Sequence, residues 1–379
     1  MAFIKRRFSV GPDDEGKRLD NIIRTILPRM ALPAVYKLIR SGDARLNGSK
    51  AGPETRVRCG DELLMRISDA EPLRGSAVDK AAGDVSVDAV GKAAGDVSGD
   101  AVGKAAGDVS GDAAGDISSG VGDSTEEAKR DRLAAAFRPL ILYEDRDLAL
   151  VNKPRGMLSH GPGGLDELAA AYYADAVRGS LAFSPAPLHR LDRNTSGIVA
   201  VSAGLEGARR FSCGLREGLV VKTYLALLLG DAPDRDLWED TLVRDGHSRT
   251  SGLASGDESE GGSGRYAKSE LRTLARAGLG GGRTLSLARI AIYTGRTHQI
   301  RAQARARGFP LYGDLKYGGG TAPGGYVLHA WRMAIDPSLG LGAPPIVVAP
   351  LPAAAEALVL RYFGADWAKE AEAADYRPF

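Results

Sequence analysis

Residues 75–125 hold a repeat that cannot build a core, and this divides the chain. Lys80-Ala-Ala-Gly-Asp-Val-Ser-Val-Asp-Ala-Val-Gly91 recurs nearly unchanged from Lys92 to Gly103 and starts again at Lys104. Apart from its one Lys, each unit is Gly, Ala, Ser, Asp and Val. A solenoid needs longer units with a hydrophobic stripe, and segments this poor in burial cannot offset the entropy of ordering the chain. The tract therefore predicts a disordered acidic linker over 75–125, between a small domain at 1–74 and a larger one at 126–379. An acidic partner-binding segment is the rival reading.

Charge follows the same division. Residues 1–74 carry 15 Lys and Arg against 10 Asp and Glu, and residues 75–125 carry 3 against 9. The formal net charge of +2 thus hides a basic first block, compatible with a polyanionic partner. No apolar run approaches the roughly 18–20 residues of a membrane span, and no apolar stretch follows Lys5, Arg6 and Arg7 as a secretory signal requires. A cytoplasmic protein without membrane association is expected. Cys59 and Cys213, the only cysteines, form no CxxC pair, which argues against a disulfide framework or a cysteine zinc site.

In the first block, Leu19, Ile22, Ile23, Ile26 and Leu27 recur at helical spacing up to Pro28. Leu32 to Arg40 reads as a second helix, stopped at Ser41-Gly42-Asp43. Ala44 to Gly48 and Gly60 to Met65 read as small strands. Lys37 and Arg40 stand three apart and share a helix face. In the second block, Leu140–Tyr143 and Leu148–Val151 read as strands around a turn, and Val220–Leu229 as a strand rich in Val and Leu. Leu285–Tyr293 alternates as a half-buried strand does. Gly278–Gly282 reads as a hairpin turn, and 244–265 as a flexible insertion. Without a strict βαβ rhythm, the pattern predicts an α+β domain with a mixed, largely antiparallel sheet, preceded by a small α/β domain.

The chemistry centres on His189-Arg-Leu-Asp-Arg-Asn-Thr-Ser-Gly197, which leads from a Pro-bounded loop into the apolar strand Ile198–Val201. An Asp on such a rigid support suits catalysis, and Arg190 and Arg193 flank it, as cations that favour a carboxylate do. Tyr224 interrupts the aliphatic run Lys222–Leu227. Thr294-Gly-Arg-Thr-His-Gln-Ile-Arg301 packs polar donors closely behind a strand.

These segments, with Asn152–Met157 and His160, Pro310–Asp314 and Leu328–Ala330, resemble in order and spacing the RluA-like pseudouridine synthases, which act mainly on large-subunit ribosomal RNA and on some transfer RNA. The likeness spans most of Leu140–Pro337. Arg18–Asp20, Lys37–Gly42, Leu46–Gly48 and Gly60–Asp61 resemble the small ribosomal-protein-like RNA-binding domain often joined to such enzymes. The resemblance implies a monomeric isomerase acting on uridine in structured RNA, needing neither metal nor organic cofactor. It implies Asp192 as nucleophile, Tyr224 as the ring that stacks on uracil and serves as base at carbon 5, and Arg301 as the cation paired with the carboxylate. Arg190 would fill the gap left by a flipped base, and Arg296, Lys37 and Arg40 would contact RNA. Flipping costs a few kcal/mol, and an aromatic face returns about 1–3 kcal/mol per stacked base. The sequence departs from the family at Gln303, where a His is common, and around Met333–Pro337, where Asp336 and small residues replace an aromatic and a His.

Other classes lack their motifs. His189 and Asp192 have no HExxH or second ligand cluster behind them, and no P-loop, dinucleotide fingerprint or GxSxG elbow occurs. Two rivals keep the architecture: a non-catalytic RNA-binding or ribosome-assembly factor, and a hydrolase that releases free uracil.

Overall fold

A computed structural model of the chain describes residues 3–69, 71, 73, 121–174, 181, 183–245, 250–254, 264–367, 369 and 371. Of the linker expected over 75–125, residues 75–120 lie outside the described residues, and 121–125 instead begin the helix Val121–Phe137. The chain divides into two compact units, residues 1–132 with 174–184, and residues 133–173 with 185–379.

The first unit holds β1 (Phe3–Ser9), α1 (Leu19–Ile26), α2 (Leu32–Ser41), β2 (Ala44–Leu46) and β3 (Glu62–Ser68). Its antiparallel sheet runs β1-β3-β2. Both helices stand where the periodicity places them. Leu19, Ile22, Ile23 and Ile26 are fully buried, and Gly42 ends α2 with φ 85°, a conformation that side chains with a Cβ avoid. The edge strand β1 has no counterpart in the sequence reading. Its buried Ile4 and Phe8 flank the run Lys5-Arg6-Arg7, which obscures the period of two. The unit also takes in the 174–184 segment: Leu181 is buried in this core and its N–H donates to the Asp14 carboxylate.

The second unit opens with α3 (Val121–Phe137, begun in the first unit) and continues through β4 (Ile141–Glu144), β5 (Leu148–Lys153), α4 (Leu165–Tyr172), β6 (Ser196–Ser202), α5 (Leu205–Glu217), β7 (Val220–Leu229), β8 (Arg235–Asp245), β9 (Thr250–Leu253), β10 (Arg265–Gly280), β11 (Arg283–Ile292), α6 (Gln299–Ala306), β12 (Leu328–Ile335), β13 (Ile346–Val348) and α7 (Ala353–Phe363). Ten strands form one sheet in the order β4-β5-β6-β12-β7-β11-β10-β8-β9, with β13 on β12. Only β6 and β12 pair in parallel, so the sheet is mixed and largely antiparallel, in an α+β fold. Two corrections concern local readings. Thr250–Leu253 is a strand paired with β8, so 244–265 is not wholly a loop. β11 is buried on both faces, Ser286 and Arg289 included, because the sheet is covered on both sides.

Parity sorts the core. Tyr224, Ala226, Leu228, Ala288, Ile290 and Ala330 belong to the cluster beneath the catalytic motifs. Leu225 and Leu287 face the other way, onto Trp331 and Val359 of α7. A strand covered on both sides reads as a continuous apolar run, which is why β7 does. At the parallel junction Gly197 adopts φ 112°, and a Cβ there would lie 2.3 Å from the Ala330 carbonyl oxygen. The Ser-Gly of the motif is therefore a packing requirement.

His329, opposite Ser196 across that junction, is fully buried, with Nδ1 2.9 Å from Ser196 Oγ and Nε2 3.2 Å from the Ala349 carbonyl. Burial pushes its imidazole down to about 4. The unfolded chain, titrating near 6.5, binds a proton that the fold refuses. The stability is fully present above about pH 6.5 and is lost as pH falls toward 4, amounting to about 3 kcal/mol at roughly 1.4 kcal/mol per unit. We expect His329→Gln to flatten this acid limb in urea titrations between pH 7 and 4.5. An acid limb identical to that of the unaltered protein would refute the assignment.

Candidate active site

Asp192 stands in the loop before β6, and neighbouring backbone fixes that loop. The Asp192 carbonyl accepts from Thr195 N–H at 3.0 Å, and Ser159 Oγ bridges the N–H and C=O of Leu191 at 3.0 Å each. His189 Nε2 accepts from Ala200 N–H at 3.1 Å, and burial holds that ring neutral. The Asn152–Met157 motif clamps the loop from the other side. Gly156 N–H donates to the Arg193 carbonyl at 2.7 Å. Lys153, fully buried, donates from Nζ to the carbonyls of Met157, Pro154 and Arg193 at 2.9, 3.1 and 3.4 Å. Burial lowers its ammonium to about 8, against the pull of Asp192.

The flanking arginines are not the partners of Asp192. Arg193 turns its Nε to the Gly156 carbonyl, and Arg190 is exposed at the pocket rim. The cation beside the carboxylate is Arg301 of α6, with Nη1 3.3 Å from Asp192 Oδ2. Arg301 is 6% exposed, so its charge needs fixed counter-groups. Asp314 supplies them in a two-point contact, Nε to Oδ2 at 2.7 Å and Nη2 to Oδ1 at 2.9 Å. The rings of Tyr317 and Tyr326 lie 4.7 and 4.9 Å from the guanidinium carbon. Burial opposes the charge, but Asp314 and Asp192 outweigh it and hold Arg301 firmly protonated.

Tyr224, on β7 between Ile290 and Ala330, is buried and lines the pocket with Asp192. Burial and the Asp192 charge raise its phenol well above the ordinary value near 10. Lys222, two residues earlier on the same face, also lines the pocket, and burial lowers it to about 8. Arg296 lines the rim with its Nε donated to the Tyr266 carbonyl at 2.8 Å.

The structure brings together Asp192, Tyr224, Arg301, Arg190 and Arg296. Lys37 and Arg40 lie on α2 of the first unit, both exposed, on the face opposite Val35 and Ile39. Three partners escaped the sequence reading. In the sequence Asp314 is one residue of the Pro310–Asp314 motif, and nothing local announces its contact with Arg301 across 13 residues. His298 has Nε2 3.7 Å from Asp192 and Nδ1 2.9 Å from the Tyr317 hydroxyl. Its φ of 55° is a strained, non-glycine conformation, of the kind that clusters at functional sites. Lys222 looked like part of a strand. The departures have structural uses: Gln303 is buried, accepting from Ser269 Oγ and donating to Asp240, which ties α6 to the sheet, and Asp336 caps a turn at Ser338. Among the described residues, no group of three or more His, Cys, Asp and Glu is placed to hold a metal ion.

A carboxylate, a buried guanidinium and a tyrosine share one pocket, whose cations suit a polyanionic substrate. The sequence profile of the RNA pseudouridylate synthase family matches residues 147–306. The chain is 27% identical over 328 residues to ribosomal large subunit pseudouridine synthase C of Salmonella typhimurium, covering 82% of this chain and 79% of that protein. It is 26% identical over 315 residues to the same-named protein of Haemophilus influenzae, covering 83% and 79%. The structure of human RNA pseudouridylate synthase domain containing 4 is similar with a TM-score of 0.49 and 21% identity, over 62% of this chain and 98% of that one. Residues 147–306 carry the sequence pattern of the RNA pseudouridylate synthase family, and the chain is an RNA pseudouridine synthase that resembles the RluA type.

Removing Asp314 would strand the Arg301 charge in a buried site. We expect Asp314→Ala to lower the unfolding free energy by about 3–5 kcal/mol, the scale for breaking a buried pair. Denaturant midpoints measure this. A loss below about 1 kcal/mol would show that Arg301 does not depend on Asp314.

Proposed function

We propose that this enzyme converts uridines of large-subunit ribosomal RNA to pseudouridine with Asp192 as the nucleophile. The observation that carries the assignment is the Asp192 carboxylate 3.3 Å from a guanidinium that Asp314 fixes. The ribosomal substrate rests on the names of the relatives, and that substrate supports a cytoplasmic location. Net, the bond from C1′ to N1 of uracil breaks, a bond from C1′ to C5 forms, C5 loses its proton to solvent and N1 gains one. Nothing is oxidised or reduced. Asp192 acts by attack on C1′, by addition to C6, or by assisting a glycal route. Arg301 orients the carboxylate. Tyr224, a neutral phenol beside Asp192, first stacks on the flipped base. It can take the C5 proton only after its own hydroxyl proton has left to solvent; burial first and the Asp192 charge second oppose that phenolate, and bonding of Asp192 to substrate removes the second obstacle. Arg190 fills the gap left in the RNA, and Arg296 contacts its backbone.

Asp192→Asn keeps the shape of the site. It is expected to retain RNA binding and to lose turnover by at least about 10⁴-fold, some 5–6 kcal/mol of barrier. Tritium release from RNA labelled at uracil C5 reports this, with chromatography of the product to separate pseudouridine from free uracil. Turnover within tenfold of the parent enzyme would end the assignment.

We assign the first unit to RNA binding through α2, supported by the exposure of Lys37 and Arg40 on one face. Lys37→Ala with Arg40→Ala should reduce the slope of log affinity against log salt by roughly 1.5, at about 0.7–0.9 per lost phosphate contact. An unchanged slope in salt titrations would remove this face from the interface.

A further inference from the structure

Beside the uridine pocket lies a second cavity of about 390 Å³, lined by Leu242, Arg244, Ser251, Arg265 and the Gly295–Thr297 turn. Gly295, Arg296 and Thr297 also line the uridine pocket, so the two are continuous at that turn. The strand register explains why arginines stand here. Leu242 of β8 lies opposite Arg265 of β10, and Arg244 lies opposite Ser251 of β9. Residues two apart on a strand, and residues directly opposite, share a face. That face buries Leu242 and Ala267 against Ala302 of α6 and Tyr317. Where α6 ends its cover, the pattern that should continue apolar places Arg244 and Arg265 instead, both exposed on the core-facing side of the sheet.

The floor is rigid. Ser251 Oγ donates to the Thr297 carbonyl at 2.8 Å, Ser251 N–H donates to the Tyr317 hydroxyl at 2.8 Å, and Arg296 is tied to the Tyr266 carbonyl. The neighbouring carboxylates are engaged elsewhere: Glu239 with Tyr266 and Lys268, Asp240 with Gln303 and Arg307. Among the described residues no carboxylate pairs with Arg244 or Arg265. Three guanidinium groups line one cavity, none of Arg244, Arg265 and Arg296 is paired with a carboxylate among the described residues, and guanidinium is the side chain that best recognises phosphate oxygens.

We propose that this cavity is a phosphodiester site, which grips the RNA backbone beside the uridine held at Asp192. The inference rests on the reading that RNA enters the Asp192 pocket. RNA chain leaving that pocket across Gly295, which has no side chain to obstruct it, meets Arg296 and then Arg244 and Arg265.

The test measures binding of fluorescein-labelled oligouridylate by anisotropy at several salt concentrations, for the full-length protein and for Arg244→Gln with Arg265→Gln. Arg209→Gln with Arg216→Gln, on exposed positions of α5, controls for loss of surface charge. The expected result is a slope of log affinity on log salt smaller by about 1.4, at about 0.7 per single-strand phosphate contact, and affinity lower by on the order of tenfold, with the α5 pair changed much less. An unchanged slope, or a change matched by the α5 pair, would overturn the proposal. Pseudouridine formation by the parent protein on large-subunit ribosomal RNA is assayed in parallel. If none forms while the slope still drops, the ribosomal reading fails and the phosphate site stands; if it forms and the slope is unchanged, the site alone fails.

Discussion

The buried charge of Arg301 is the interaction around which the catalytic unit is arranged. A guanidinium taken out of water is tolerable only with excellent geometry and satisfied donors. Its planar fork admits two parallel contacts to one carboxylate, and Asp314 occupies them. One side of the fork remains, and it faces Asp192. The order of these contacts matters. Asp314 is 2% exposed and Asp192 is on the pocket wall, so one carboxylate partner is sealed and the other is accessible. The two tyrosine rings pack against the guanidinium and add cation–π attraction to the carboxylate contacts.

The rest of the unit serves that placement. The Asp192 loop is pinned by Ser159, His189 and the Lys153 clamp, all of them contacts to backbone. Backbone pins hold the loop whatever the side chain of Asp192 engages. The parallel pairing of β6 with β12 brings the loop above Tyr224, because β12 separates β6 from β7 and Ala330 stands opposite Tyr224. Gly197 permits that approach.

Much of this was legible in the sequence, for identifiable reasons. Helices α1 and α2 carry their own periodicity and stop signals. The strands around 144–147 and a hairpin at Gly278–Gly282 are local events that composition announces, although the turn itself is only Gly281–Gly282, with φ of 60° and 72°, since β10 runs on to Gly280. Asp192, Tyr224 and Arg301 could be named because their motifs resemble a family. What failed was long-range. Arg190 and Arg193 are neighbours of Asp192 along the chain, yet the cation that reaches it lies 109 residues away. The two-sided burial of β11 could not be read from its alternation, since Ser286 spends its hydroxyl on the Gly230 carbonyl inside the core. β1 was hidden because three consecutive cations conceal the two buried positions that flank them.

The pocket also shows how an enzyme for a polyanion can carry a carboxylate at its site. Asp192 is the only carboxylate among its lining residues, whereas Arg190, Lys222, Arg296 and Arg301 are all cationic. One of these four, Arg301, is committed to carboxylates. Lys222 has no hydrogen-bond acceptor among the described residues, and burial has already lowered it to about 8. A buried ammonium in that condition gains from any anion or carbonyl oxygen that enters, because the newcomer replaces the lost water. The site therefore repels its substrate at one point, the carboxylate, and attracts it at several around that point. Attraction at the rim brings the phosphates in, and the base, which carries no charge, is the part of the nucleotide that can approach Asp192 without Coulombic cost.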